Sequence, residues 1–280
     1  MQFAKLNNLN IHFQEIGAPE GKPLLVFINS LGTDFRIWRD VIIRFVGEAQ
    51  VLTYDKRGHG LSDVGSAPYT IEDHASDLAA LLDHLGKRNA ILVGLSVGGL
   101  IAQALYKTRP DLVSAMVLSD TALRIGTPDM WADRIRSIDI GGMDSLADAT
   151  MTRWFTPEFR QKRIQEVAGY RTMVARQPID GYLGTCSAIR DADYTADAAA
   201  ISVPVMCIVG EEDIVTTPAH VYDMAAAIKG ARLKKLLCVY AHFACIEKPD
   251  TFANLVKDFI RTMNEQMQEI KMEAGSQSIH

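Results

Sequence analysis

The chain has 280 residues, 48% of them hydrophobic and 22% charged, with a formal net charge of −5. That length can bury a substantial core as one large α/β domain or two small ones, and the charge balance supplies no basic field of the kind a nucleic-acid binder needs. No apolar run approaches the roughly 18 to 20 residues that span a bilayer, and residues 1–20 lack the basic start and apolar stretch of a secretory signal. We therefore expect a cytoplasmic protein with neither a membrane nor a nucleic-acid partner.

In chain order, Phe3–Leu6 and Ile11–Ile16, joined by Asn7-Asn8, predict an opening antiparallel hairpin. Solidly apolar runs follow at Leu24–Ile28, Val51–Tyr54, Ile91–Val93, Ala115–Leu118, Val205–Val209 and Leu236–Val239. Strands apolar on both faces fit a mostly parallel sheet covered by helices on each side. The helices are predicted at Ile37–Phe45, from Thr70 through Leu85, from Gly99 to Lys107, at Ala219–Ile228 and at Thr251–Met263. Thr70 opens its helix as a capping-box variant, with Asp73 three residues on. Alternating strand and helix implies right-handed crossovers and a doubly wound α/β sheet.

Residues 122–200 break the alternation. They carry several helical patterns but no apolar strand run, and they fall between the fourth and fifth parallel strands. A core of residues 1–121 and 201–263 with an inserted helical lid at 122–200 is therefore expected. The polar stretch 264–280 reads as a frayed helix and a disordered tail. The cysteines Cys186, Cys207, Cys238 and Cys245 show no metal-ligand spacing. Cys207 and Cys238 fall inside apolar runs, as small buried hydrophobes do.

The chemistry centres on Gly94-Leu95-Ser96-Val97-Gly98, which stands between an apolar run and a helix pattern. A serine on such a turn is lifted clear of the sheet, with the first helix amides aimed at whatever it attacks. Its hydroxyl needs a base. The expected chain order of nucleophile, acid and histidine sets aside His12, His59, His74 and His84. Of the later histidines, His220 falls in a predicted helix and His280 in the tail, whereas His242 follows the last apolar run.

The acid that orients the imidazole should end a strand before His242. Asp213 does so after Val205–Val209, with Asp120 as its competitor. Developing negative charge would be met by the amides of Val97 and Leu31, the latter in the loop after the first parallel strand. In Asp55-Lys56-Arg57-Gly58-His59-Gly60-Leu61-Ser62, the glycine spacing points to a tight, hydrogen-bonded loop rather than a second catalytic centre.

With these elements in order, the chain resembles the α/β-hydrolase family over residues 3–262. Within it the chain is similar to the 3-oxoadipate enol-lactonases, through Phe27-Ile28-Asn29-Ser30-Leu31-Gly32-Thr33, Tyr54-Asp55-Lys56-Arg57-Gly58-His59-Gly60, Gly94-Leu95-Ser96-Val97-Gly98-Gly99 and Arg153-Trp154-Phe155-Thr156-Pro157. The resemblance implies a serine hydrolase that opens a small lactone and needs no metal or organic cofactor. It also implies a cation under the lid for the substrate carboxylate. Arg134, beside Trp131, is the first candidate, Arg153 and Arg190 are alternatives, and Trp154 is a further lid contact. A carboxylesterase or C–C hydrolase on the same frame, or a ligand-binding protein that kept the fold, would share much of this pattern. Where the family's histidine loop is often glycine-rich, this chain has Tyr240-Ala241-His242.

Overall fold

The computed structural model describes residues 1–235 and 240–277, and of residues 232–235, 267 and 270–277 it describes the backbone alone. Strands β1 (Gln2–Leu6) and β2 (Leu9–Ile16) form the expected hairpin. Its turn residues Asn7 and Asn8 have φ of 48° and 65°, the left-handed pair that a two-residue hairpin turn requires and asparagine tolerates. The sheet continues through β3 (Leu24–Ile28), β4 (Gln50–Tyr54), β5 (Ala90–Leu95), β6 (Val113–Ser119), β7 (Val205–Val209) and β8 (Arg232–Lys235). Its spatial order is β1-β2-β4-β3-β5-β6-β7-β8. β2 pairs antiparallel with β4, and β3 to β8 run parallel. The predicted strand at Leu236–Val239, with Cys238, lies outside the described residues; β8 immediately precedes it.

The chain runs from β3 out to β4 on one side and returns to β5 on the other. The carboxyl ends of β3 and β5 thus flank the switch point at which open α/β sheets build their sites. Every residue of β3, β5 and β7 is buried, as apolar runs covered on both faces must be.

The segment expected as one helix at 37–45 is instead a 3₁₀ turn, Phe35–Trp38, followed by a single turn α1 (Arg39–Ile42). Asp34 caps the 3₁₀ turn by accepting from the Arg36 amide, which starts the coil two residues early and in the tighter form. Helix α2 (Ile71–His84) has the predicted capping box, Thr70 and Asp73 exchanging side-chain and backbone hydrogen bonds. Helix α3 (Val97–Thr108) follows Ser96 directly.

Between β6 and β7 come α4 (Pro128–Gly141), α5 (Asp144–Trp154), α6 (Pro157–Lys162), α7 (Ile164–Ala175) and α8 (Ile179–Asp191). Helix α8 is stitched to the sheet domain along one face. A Cβ on Gly181 would stand 2.2 Å from the Gly58 carbonyl oxygen, and one on Gly184 would stand 2.7 Å from the Tyr69 ring. Thr185 Oγ1 lies 3.3 Å from His74 Nε2.

Helices α9 (Pro218–Ala227), α10 (Ala244–Glu247) and α11 (Pro249–Gln277) complete the chain. α11 passes the end expected near Met263, because nothing in the polar stretch that follows interrupts a helix before Gly275. Among the described residues no helix is long and apolar enough to cross a membrane.

Candidate active site

Ser96 sits between β5 and α3 with φ 57° and ψ −118°, a conformation that costs a non-glycine residue energy and persists only where its surroundings impose it. The imposing contacts are backbone to backbone. A Cβ on Gly94 would fall 2.4 Å from the Gly98 carbonyl oxygen, and one on Gly98 would fall 2.2 Å from that of Ile28. Ser96 N–H donates to Ser119 O at 3.0 Å, and Ser96 O accepts from Thr121 Oγ1 at 2.7 Å. The turn is thereby locked onto the end of β6.

His242 stands just before α10 and Asp213 in the loop after β7, and both are almost fully buried. His242 Nδ1 lies 2.8 Å from Asp213 Oδ2. The remaining lone pairs of Asp213 accept from Val215 N–H (2.7 Å), Thr216 N–H (3.1 Å) and Thr216 Oγ1 (2.7 Å). Burial alone would raise this carboxyl. The His242 charge and hydrogen bond, together with the Thr216 and Val215 donors, outweigh it and hold Asp213 below the usual carboxylate range.

Asp120, the competing acid, lies beside Asp213 but makes different bonds: its oxygens accept from Ser119 Oγ (2.6 Å) and Gly210 N–H (2.9 Å). Burial, and after it the Asp213 charge, push Asp120 well above the usual carboxylate range. Potential ligand atoms of Asp120, Asp213 and His242 lie within 4.8 Å of one another. Asp213 is filled by its four donors, and His242 Nδ1 is turned onto Asp213 Oδ2.

Ser96 and His242 line one cavity of about 30 Å³, together with Ser30, Leu31, Ile125, Trp131, Arg134, Thr150, Trp154, Tyr182, Ile189 and Val215. Three of the residues singled out from sequence on the inserted helices, Trp131, Arg134 and Trp154, therefore meet there. The Arg134 guanidinium lies 5.3 Å from the centre of the Trp131 ring, and Trp131 Nε1 donates to Ile125 O at 2.7 Å. Arg153 donates to Thr150 Oγ1 at 2.9 Å, and burial, then the nearby Arg134 charge, lowers it to about 10. Arg190 is elsewhere: its guanidinium pairs with Asp191 at 2.7 Å.

The histidine loop, without the usual glycines, is braced from outside. His242 N–H donates to Trp154 O at 3.1 Å, and the Trp154 and Phe243 rings lie 4.4 Å apart. Glu247 accepts from Ala241 N–H (3.2 Å) as well as from Thr156 N–H (3.1 Å) and Thr156 Oγ1 (2.8 Å). The end of α5 is thus tied to the segment that carries His242.

Residues Asp55–Ser62 form the tight loop the glycine spacing suggested. Arg57 makes a two-pronged bond to Asp77 at 2.6 and 2.8 Å. His59 Nε2 accepts from Gly32 N–H at 3.1 Å while Nδ1 lies 3.2 Å from Arg57 O, which makes Nδ1 the protonated nitrogen. His59 therefore anchors the loop that holds Leu31.

Tyr182, Thr150, Ile189 and Val215 at the cavity, and Thr216 at Asp213, had not been singled out from sequence. Thr216 carried a legible signal, a hydroxyl three residues after an aspartate, where it can fold back on the carboxylate. A hydroxyl near an imidazole backed by a buried carboxylate, at the amino end of a helix, can give up its proton and attack an electrophilic carbon.

A family model described as the alpha/beta hydrolase fold matches residues 23–249. The 3-oxoadipate enol-lactonase 2 of Acinetobacter baylyi is 33% identical, over 87% of this chain and 90% of that protein. The 3-oxoadipate enol-lactonase 1 of the same organism is 31% identical, over 89% and 92% respectively. The crystal structure of the enol-lactonase from Burkholderia xenovorans LB400 is 36% identical and superposes with a TM-score of 0.89, covering 93% of this chain and 100% of its own.

Proposed function

The chain belongs to the alpha/beta-hydrolase family, and on that premise we propose that it opens the lactone ring of 3-oxoadipate enol-lactone to give 3-oxoadipate. The observation that carries the chemistry is the strained Ser96 turn sharing one cavity with an imidazole whose Nδ1 is 2.8 Å from a buried carboxylate. The substrate follows from similarity to two enol-lactonases along nearly the whole chain.

In this reading Ser96 Oγ attacks the lactone carbonyl as His242 Nε2 takes its proton. Asp213 holds the Nδ1–H tautomer and stabilises the imidazolium that forms. The Leu31 and Val97 amides receive the oxyanion. Collapse breaks the ring C–O bond and expels an enol oxygen, which takes the proton back from His242. That oxygen leaves readily because its charge delocalises into an enolate. Water, deprotonated by His242, attacks the acyl carbonyl; the Ser96 Oγ–acyl bond breaks as Oγ takes that proton back from His242, and the enol tautomerises to the ketone.

Residues 122–200 act as a lid over residues 1–121 and 201–263. The cavity there is narrow, about 30 Å³, so in this reading a lactone is admitted by movement of the inserted helices outside α8. Beneath the lid Arg134, packed on Trp131, is the group that meets the substrate carboxylate, with Arg153 behind it and Trp154 closing the apolar side.

The test is enol-lactone disappearance, followed by ultraviolet absorbance on freshly generated substrate with wild type and Ser96→Ala side by side. Rapid decay lost in the variant is the expected result. No lactone turnover, with a short aryl ester still cleaved through Ser96, would refute the substrate and keep the nucleophile.

A further inference from the structure

Lys56 is 1% exposed and lies two residues beyond the end of β4, and the mechanism above gives it no role. Its ammonium is committed to backbone: Nζ donates to Ser30 O at 2.5 Å, with Thr33 O at 3.5 Å. The neighbouring carboxylates are engaged elsewhere. Asp55 accepts from His12 Nδ1, Phe35 N–H and Leu61 N–H, and Asp34 pairs with Arg36. No carboxylate among the described residues lies at ion-pair distance from Lys56. Burying a cation is costly, and here its main partner is a single carbonyl oxygen.

That carbonyl belongs to the peptide group whose N–H is Leu31's. Peptide resonance links the two ends, so a charge-assisted bond at the oxygen shifts electrons out of the nitrogen and makes the N–H a stronger donor. The same loop is held on both sides, by Thr33 Oγ1 on Ser30 O at 2.8 Å and by His59 on Gly32 N–H at 3.1 Å. The peptide plane is therefore fixed while its dipole is enhanced.

We propose that Lys56 is a positioning residue for the oxyanion donor, orienting and polarising the Ser30–Leu31 peptide so that the Leu31 amide binds negative charge in the transition state more tightly than the neutral carbonyl of the substrate. The proposal rests on the reading of Ser96 as nucleophile and Leu31 as oxyanion donor. It concerns the rate of the chemical step, whatever acyl substrate is used.

Lys56→Met removes both donor and charge, and Lys56→Gln keeps an N–H donor without charge; the second carries the test if the first does not fold. On a short aryl ester, kcat should fall about 10- to 100-fold with KM within about twofold, part of the loss that follows deletion of a whole oxyanion donor. Affinity for phenylboronic acid, which mimics the tetrahedral intermediate on serine, should fall by a similar factor.

Charge supplies a further readout. Burial draws Lys56 down to about 7, against the Asp55 and Asp34 charges that raise it, and the imidazoles of His59 and His74 also face it. The wild-type-to-Met ratio of kcat should therefore shrink as pH rises from about 6 to about 9. A merely structural lysine would leave that ratio flat. A folded Lys56 variant with wild-type kcat and boronate affinity, beside an inactive Ser96→Ala, overturns the role of Lys56 alone. Turnover that survives in Ser96→Ala overturns the reading of the site itself.

Discussion

Replacing Asp213 by asparagine tests the proposed acid–base pair with little change in shape. Two backbone amides, Val215 N–H and Thr216 N–H, point at Oδ1, while Thr216 Oγ1 and His242 Nδ1 face Oδ2. Backbone amides cannot turn into acceptors, so the asparagine oxygen must stay on their side and its NH₂ group must take the place of Oδ2. The Thr216 hydroxyl can rotate to accept. The imidazole can accept at Nδ1 only by carrying its proton on Nε2, the atom that must deprotonate Ser96.

Asp120 does not stand in, because burial is the larger reason for its raised pKa and it remains when the Asp213 charge is removed. The expected loss in kcat is about ten-thousandfold, or about 5.5 kcal/mol of transition-state stabilisation. Initial rates on a chromogenic ester, with KM and thermal midpoint recorded for the same preparation, measure it. A folded Asp213→Asn enzyme with more than about a tenth of wild-type kcat would refute the tautomer argument.

Two further outcomes follow from the same geometry. Arg134→Ala should raise KM for the carboxylate-bearing lactone about tenfold or more, as loss of a charged hydrogen bond does, and leave a neutral aryl ester within about twofold; equal losses on both would count against the carboxylate clamp. His59 and His74 are held well below the usual imidazole value by burial first and by the Lys56 charge second. The unfolded chain therefore binds protons that the folded one refuses, and stability should be lost as pH falls below about 6.5, by up to about 1.4 kcal/mol per pH unit for each histidine. Urea midpoints at pH 5.5 and 7.5 would show it, and a His59→Asn variant with an undiminished difference between them would contradict it.

The frame of the site was legible in the sequence because its signals are local. An apolar run, a glycine-flanked serine and a helix pattern specify the turn at Ser96 within about fifteen residues. Asp213 and His242, the proposed acid and base, are picked out by their positions after successive apolar runs. Tertiary pairing was out of reach of such patterns. Thr156 and Glu247, which tie α5 to the histidine loop, are 91 positions apart, and Gln177 reaches Gly32 O across 145. The same holds for Lys56, whose neighbours in sequence suggested only a tight loop. Spacing beside Trp131 ranks Arg134 ahead of Arg153 and Arg190 but cannot separate those two; packing puts Arg134 and Arg153 near the cavity and leaves Arg190 paired with Asp191.

The seam along α8 divides the roof of the site into parts with different freedoms. Where Gly58 and Gly181 meet without side chains, and Gly184 lies flat against Tyr69, the backbones are too close to separate without exposing both. Helix α8 thus belongs mechanically to the floor, although in chain order it is the last piece of the insert. Tyr182 and Ile189, which it contributes to the cavity, form a fixed wall. Trp131 and Arg134 ride on α4, outside that seam, whereas Trp154 ends α5 and is held to the His242 segment through its carbonyl. Selection or design could redraw the pocket from the α4 side without disturbing the joint on which the whole enclosure hangs.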